Sequence, residues 1–403
     1  MGPWLRRIGT AFLFLAITIC LAPSVVMPFL DRIYHEGPPS DHFDGERFFN
    51  PGTVRHGGSA HGPAGFYNRW LRGAERSAWP RNVPVTPTVP PAHVGGDEML
   101  VTWIGHATVL VQTAGLNILT DPVWSRTVSP FPPIGPERVR APGVPFENLP
   151  KIDLVLVSHN HYDHMDLPTL KKLWDRDRPA IVTSLGNDAI LRQAGIPHRN
   201  ATTDCGRCPG AEALDWGSST FVEGAAMASW KRNPGGAAPV AQVDVVRNHH
   251  WSSRWGTDRN RALWSAFVVR TGAGNLFFAG DTGWGDGGWV EEAARLGPYR
   301  LAIIPIGAYE PRDFMKTNHV NPDEAVAIYE KLEPAAALGI HWGTFQLTFE
   351  GIDEPPRRLA ELRKARGIPE ARFRATEAGQ GFRVPAGLTL SPAGRGQGEG
   401  AGR

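Results

Sequence analysis

His159-x-His161-x-Asp163-His164 places three imidazoles and one carboxylate within six residues. In extended backbone, side chains two residues apart point the same way. His159 and His161 can therefore grip one metal ion. As the chain curls into the helix expected next, Asp163 and His164 turn towards a second position. Imidazole nitrogen and carboxylate oxygen are the ligands zinc accepts, at about 2.0–2.2 Å. The alternative, a polar loop of hydrogen-bonded histidines, fits poorly with this density of ligands straight after a buried strand.

Four side chains cannot saturate two ions, so further ligands are expected at later strand ends. His249-His250-Trp251, Gly280-Asp281-Thr282-Gly283 and His341-Trp342-Gly343 each follow an apolar, β-rich run. Taken singly each is weak, because a lone histidine at a strand end is more often a hydrogen-bonded surface group. Taken together they lie at C-terminal strand ends, where ligands bind in α/β sheets.

The elements that must position these residues alternate between strand and helix. Leu100–Ile104, Ala107–Thr113 and Leu116–Thr120 read as an antiparallel meander. Ile152–Val157 is a buried strand running into the histidine cluster. Asp166 fits an N-cap, with Pro168 in the first turn of a helix to about Trp174. Strands are expected at Ala180–Thr183, Gln242–Arg247, Leu263–Arg270, Asn275–Ala279, Leu301–Pro305 and Ala335–Ile340. Helices are expected at Asn187–Gln193, Gly288–Leu296 and Pro322–Leu332. A meander followed by βαβ units implies packed sheets with helices outside.

Composition bounds the rest. The chain has 403 residues, 41% hydrophobic and 20% charged, which excludes disorder along its whole length. Its net charge of +2 gives no electrostatic case for nucleic acid as a partner. Gly and Pro, 46 and 36 residues, favour loops and extended connections over a helical bundle. Three cysteines exclude a disulfide scaffold. Cys205 and Cys208 form a lone CxxC, which cannot supply a four-cysteine zinc site. They would be a disulfide in an exported domain and two free thiols in a cytosolic one.

The organisation along the chain has four parts. Residues 1–30 carry Arg6 and Arg7 before an apolar run from Ile8 to Leu30. The run is long enough to span a bilayer. Ile19-Cys20-Leu21-Ala22 is a poor cleavage site, so an uncleaved membrane anchor is expected ahead of a cleaved signal. Arg6 and Arg7 would remain cytoplasmic, putting the catalytic domain on the non-cytoplasmic side, the periplasm or cell envelope of a bacterium. Residues 31–98 are an irregular lead-in, 99–385 the catalytic domain, and 386–403 a Gly-rich flexible tail.

The order of these motifs resembles the metallo-β-lactamase superfamily. Three more stretches, Trp103-Ile104-Gly105-His106-Ala107-Thr108, Leu119-Thr120-Asp121-Pro122 and His319-Val320-Asn321-Pro322-Asp323-Glu324-Ala325, resemble its N-acylphosphatidylethanolamine phospholipase D subfamily. The similarity covers roughly residues 66–383. It implies an α/β fold, an αββα sandwich, with two Zn2+ ions at the sheet edge. Carried across, one zinc takes His159, His161 and His250, and the other takes Asp163, His164 and His341. Asp281 bridges both. His250 is preferred to His249 because the family's lone histidine precedes a tryptophan. Asp281 stands where β-lactam hydrolases commonly have cysteine.

A dizinc site suits hydrolysis, because a water shared by two zinc ions deprotonates near neutral pH and becomes a hydroxide nucleophile. The expected substrate is a phosphodiester, an N-acylphosphatidylethanolamine-type phospholipid; Asp163 and Asp281 hold the catalytic metals. His319 resembles a family histidine near the substrate phosphate; it could equally be a histidine beside the Asn321 cap. Asp121 could orient a zinc-bound imidazole or simply close the Asp121-Pro122 turn. The loop Trp124–Pro145 could be a rim for acyl chains or a stiff structural loop. Rival readings are a dizinc lactonase or soluble-substrate phosphodiesterase, a non-catalytic envelope protein, and a di-iron redox enzyme.

Overall fold

The computed structural model describes residues 3–26, 30–52, 75–199, 210–224 and 240–385, together with 68, 69, 72, 73 and 231. Cys205, Cys208 and the tail 386–403 lie outside the described residues.

Among the described residues, two seven-stranded sheets form the centre. The first contains β1 (Met99–Gly105), β2 (Thr108–Thr113), β3 (Leu116–Thr120), β4 (Leu154–Val157), β5 (Ala180–Ser184) and β6 (Gly210–Leu214). The second contains β7 (Ser219–Glu223), β8 (Val240–Val246), β9 (Ala266–Thr271), β10 (Gly274–Phe278), β11 (Leu301–Pro305), β12 (Ala336–Ile340) and β13 (Phe373–Arg374). β14 (Gly381–Arg383) returns to pair with β1, so the sheet orders are 14-1-2-3-4-5-6 and 13-12-11-10-9-8-7. The expected meander is present: β1, β2 and β3 pair antiparallel, and β3 to β6 run parallel. In the second sheet β7 to β10 are antiparallel and β10 to β13 parallel.

Period-two alternation explains the layers. Val109 and Val111 point between the sheets, towards Val243, Phe267, Phe278 and Leu338. Leu110 points outward, into a second cluster with Leu119, Val155 and Leu173. That outer cluster is covered by α2 (Leu167–Asp177) and α3 (Asn187–Gln193). Over the second sheet lie α4 (Gly288–Arg295) and α6 (Pro322–Leu332), with Trp289, Val290, Val326 and Tyr329 buried. Between these two comes the short α5 (Arg312–Met315), and α7 (Glu354–Arg366) packs beside α6. The architecture is an αββα sandwich.

Several boundaries differ from expectation for physical reasons. The strand expected from Leu263 starts at Ala266, because Leu263 and Trp264 instead pack with Phe43 and Phe48 of the lead-in. α2 runs on past Trp174 to Asp177 and ends at left-handed Arg178. Asp166 sits at its N-cap, but its carboxylate accepts from the Trp124 and Ser125 amides rather than capping the helix. α7 was not anticipated; its sequence is mostly charged and it buries only Pro355 and Leu359.

Within the expected lead-in, residues 30–52 are packed against the site. Asp31 pairs with Arg261, the Tyr34 hydroxyl donates to Asp258, and the Asn50 amide donates to the His250 carbonyl. Ahead of this strap, α1 (Pro3–Val26) leaves Phe12, Leu13, Phe14, Ile17 and Ile19 exposed. Among the described residues no helix is long and apolar enough to cross a membrane. Residues 27–29, part of the expected span, lie outside the described residues.

Candidate metal centre

All seven expected ligands meet at one edge of the sandwich. β4 delivers His159, His161, Asp163 and His164 in the loop before α2; His250 follows the end of β8, Asp281 the end of β10, and His341 the end of β12. Close approach of these strand ends dictates local sequence. A Cβ on Gly280 would lie 2.7 Å from the Ser158 Cβ, and one on Gly283 would lie 2.2 Å from the Thr317 carbonyl oxygen. That is why Asp281 is framed by glycines. His341, at φ 66°, and His106, at φ 55°, adopt the left-handed region, uncommon for non-glycine residues and found at functional sites.

The donors fall into two groups. His159, His161 and His250 offer ring nitrogens within 4.8 Å of one another, with His159 Nε2 2.8 Å from His161 Nδ1. In the other group, Asp281 Oδ2 lies 3.0 Å from His164 Nε2 and 3.1 Å from His341 Nε2. Asp163 Oδ2 lies 3.4 and 3.5 Å from the same two nitrogens. Asp281 Oδ2 also faces His250 Nε2 at 4.0 Å, so this one carboxylate stands between the groups.

The outward hydrogen bonds fix the tautomers. The Ser158 hydroxyl donates to Asp121, so it must accept from His159 Nδ1–H, 2.9 Å away. His164 Nδ1–H donates to Asp121 Oδ2 at 2.6 Å. His250 Nδ1–H donates to the Asn318 carbonyl at 2.9 Å. Each Nε2 thereby faces inward, and on the neutral rings of His159 and His250 it carries a lone pair. Among the described residues, His250 Nε2 and Asp281 Oδ1 are buried without a hydrogen-bond partner. Buried lone pairs facing each other are costly unless a cation lies among them, so the donor set fits divalent metal.

Electrostatics separate the groups. Burial pushes His161 down to about 3 and holds His159 and His250 well below the usual histidine range. Burial also opposes charge on His164 and His341. There, however, the Asp281 carboxylate and its neighbours win, raising His164 well above its usual value and His341 to about 9. Burial alone would raise Asp163 and Asp281, but His164 holds both well below the carboxylate range.

The remaining expected residues are also placed. The His319 ring reaches the cluster, with Nδ1 3.9 Å from Asp281 Oδ2 and without a partner. The cap beside it is made by Asn321 with Glu324, without His319. Burial pushes His319 down to about 4. Asp121 does both things considered for it: it bonds His164 and lies at the turn before Pro122. His249 turns away, its ring packed on Gly285.

Three neighbours were not anticipated as site residues. His106 Nε2–H donates to Asp163 Oδ2 at 2.8 Å, and the His106 carbonyl accepts from the His341 amide at 3.0 Å. One residue thus steadies two ligand positions on opposite sheets. Arg254 is buried and donates from Nη1 to the carbonyls of Asn160 and Met165, clamping both ends of the histidine loop. Asn50 holds the His250 backbone from the lead-in. His106 stands in a quoted motif; nothing in spacing marks the other two.

Comparison with known proteins agrees with this geometry. Residues 116–342 match a family described as the beta-lactamase superfamily domain. N-acyl-phosphatidylethanolamine-hydrolyzing phospholipase D 1 of Caenorhabditis elegans is 35% identical over 80% of this chain and 88% of its own length. The mitochondrial N-acyl-phosphatidylethanolamine-hydrolyzing phospholipase D of Saccharomyces cerevisiae is 32% identical over 67% of this chain and 53% of its own length. The isothiocyanate hydrolase from Delia radicum gut bacteria shares the fold, with a TM-score of 0.52 at 19% identity, over 72% of this chain and all of that one. With two mixed sheets carrying a seven-residue His/Asp cluster on one edge, and relatives of this closeness, the chain belongs to the metallo-β-lactamase superfamily of metal-dependent hydrolases, in its N-acylphosphatidylethanolamine phospholipase D-like branch.

Proposed function

We propose that the protein is a dizinc phosphodiesterase that cleaves N-acylphosphatidylethanolamine-type phospholipids by phospholipase D chemistry. The observation that carries this is the convergence on Asp281 of buried ring nitrogens from both sides, His250 from one and His164 and His341 from the other. In this reading His159, His161 and His250 hold one zinc, Asp163, His164 and His341 the other, and Asp281 both. Paired zinc ions supply water activation near neutral pH and offset charge on a phosphoryl transition state. Asp121 keeps the His164 proton on the outer nitrogen, and Asn318 does the same for His250. His319 remains neutral through burial, so its single N–H can donate to a phosphoryl oxygen or to the departing alkoxide. Water adds to phosphorus, the bond from phosphorus to the ethanolamine oxygen breaks, and that oxygen takes a proton. The products are phosphatidic acid and an N-acylethanolamine.

The lipid substrate is supported by the named activity of the Caenorhabditis elegans relative. Attachment to a lipid surface is supported by the exposed apolar side chains of α1, which follow Arg6 and Arg7. The test is product analysis with N-acylated and plain phosphatidylethanolamine in mixed micelles. Release of N-acylethanolamine is expected. If neither lipid is cut while a soluble lactone or cyclic phosphodiester turns over well, the phospholipase reading is wrong.

A further inference from the structure

Between Trp124 and Pro145 the chain forms a finger with a rigid base and a bare apolar tip. Pairing holds the two sides together: the Val128 amide donates to Pro136, the Arg138 amide to Arg126, and the Ile134 amide to Phe131. The Ser129 hydroxyl accepts from the Phe131 amide at 2.9 Å. At Gly135, φ is 135° and a Cβ would lie 2.4 Å from the Ser129 Cβ, so the turn closes tightly on its own side chains. The base is anchored beside the metal centre. Val123 and Val128 pack with Phe345 and Tyr162, and the Arg138 guanidinium stacks on Phe345 and donates to the Val123 carbonyl.

The tip is different. Pro130, Phe131, Pro132, Pro133 and Ile134 are all exposed, Ile134 at 76%. None of the five has a side chain that can hydrogen-bond or carry charge. An ordered apolar projection that none of the described residues covers marks a surface for something else.

The surroundings indicate what. Phe131 packs edge-on against Trp255 at 6.3 Å, and the Arg32 guanidinium covers the same indole at 4.5 Å. Arg32 lies two residues after Leu30, just beyond the exposed apolar helix α1. Arg126, 81% exposed at its side chain and paired with Glu137 at 3.0 Å, flanks the finger, and Arg259 covers Trp251 nearby at 4.1 Å. Apolar tip, indole rings and guanidinium groups in succession are the arrangement that suits the boundary between acyl chains and anionic headgroups.

We propose that the Pro130–Ile134 tip inserts into the interfacial region of a lipid bilayer, as a docking point separate from α1, holding the metal centre's rim at the membrane surface. The proposal extends the phospholipid reading but does not depend on turnover. Docking is measured by amide hydrogen exchange of the full chain, with and without vesicles of phosphatidylcholine and phosphatidylglycerol. Slower exchange across residues 129–136 with vesicles is expected. The Phe131→Ser, Ile134→Ser double variant should lose that protection and partition onto the vesicles roughly tenfold more weakly. Both side chains are at the surface, so the variant should keep wild-type exchange elsewhere; an Ile134→Leu variant should behave as wild type. Unchanged exchange at the tip in the presence of vesicles would overturn the proposal. So would protection that rises with protein concentration alone, which would make a second copy the partner. Tip protection without phospholipid cleavage would keep the docking and remove the phospholipase reading.

Discussion

His159, His161 and His250 form an all-imidazole half of the candidate metal centre, whereas the other half sets Asp163 and Asp281 against His164 and His341. Burial leaves the first half neutral, with His161 pushed down to about 3. In the second half the carboxylates outweigh burial and lift His341 to about 9. The first half is therefore a set of ready lone pairs. The second is a compensated charge cluster, in which removing one partner leaves the others uncompensated in a buried site. The supports differ accordingly. Asp163 and His164 are held by the side chains of His106 and Asp121, whereas His159 is held by the Ser158 hydroxyl and His250 by the Asn318 carbonyl at its ring and the Asn50 side-chain amide at its own carbonyl.

The largest effect should come from the residue both halves share. Asp281→Asn keeps the size and removes the charge. Activity should fall about a thousandfold or more, with loss of at least one metal equivalent. Turnover together with elemental analysis checks this, and full activity would mean the shared carboxylate is misassigned. Next come single-half deletions. His341→Ala and His250→Ala should each lower metal content from about two equivalents to about one. A variant that loses both ions, or neither, would erase the distinction between halves.

His106→Ala should weaken metal affinity by about 10–100-fold, felt in the carboxylate half. Competition with a graded series of chelators measures it. His106→Gln, whose amide can still donate to Asp163, should recover part of the loss; equal loss in both variants would mean that donation is not His106's role. The smallest effect belongs to Asn50→Ala, which removes a bond to the His250 carbonyl and one from the Trp264 indole. A stability cost of about 1 kcal/mol is expected, with both metal equivalents retained. Denaturant titration beside elemental analysis reads both, and loss of an ion would show that the lead-in does more than brace the imidazole half.

These positions also mark where sequence runs out as a guide. The histidine loop is legible because its chemistry is compressed into six residues after an apolar strand. Asp281 is legible because Gly280-Asp281-Thr282-Gly283 follows an apolar strand and resembles the family's motif. The meander and the αβ alternation are legible because their side-chain periods are regular. Arg254 is not, since its partners are carbonyls of Asn160 and Met165, some 90 positions away in sequence. Any residue can supply a carbonyl, so no pattern of residue types announces the clamp. Asn50 is hidden for the same reason, and the early strand start at Leu263 was misplaced because Phe43 and Phe48 draw Leu263 and Trp264 into another cluster. Long-range backbone contacts and competition between apolar clusters are settled only when the chain is folded.

The central claim is that buried lone pairs on both sides of Asp281 exist to hold two ions. Elemental analysis of freshly purified full-length protein tests it most directly. About two equivalents of zinc per chain are predicted. Less than about half an equivalent of any transition metal, in folded protein, would contradict the account.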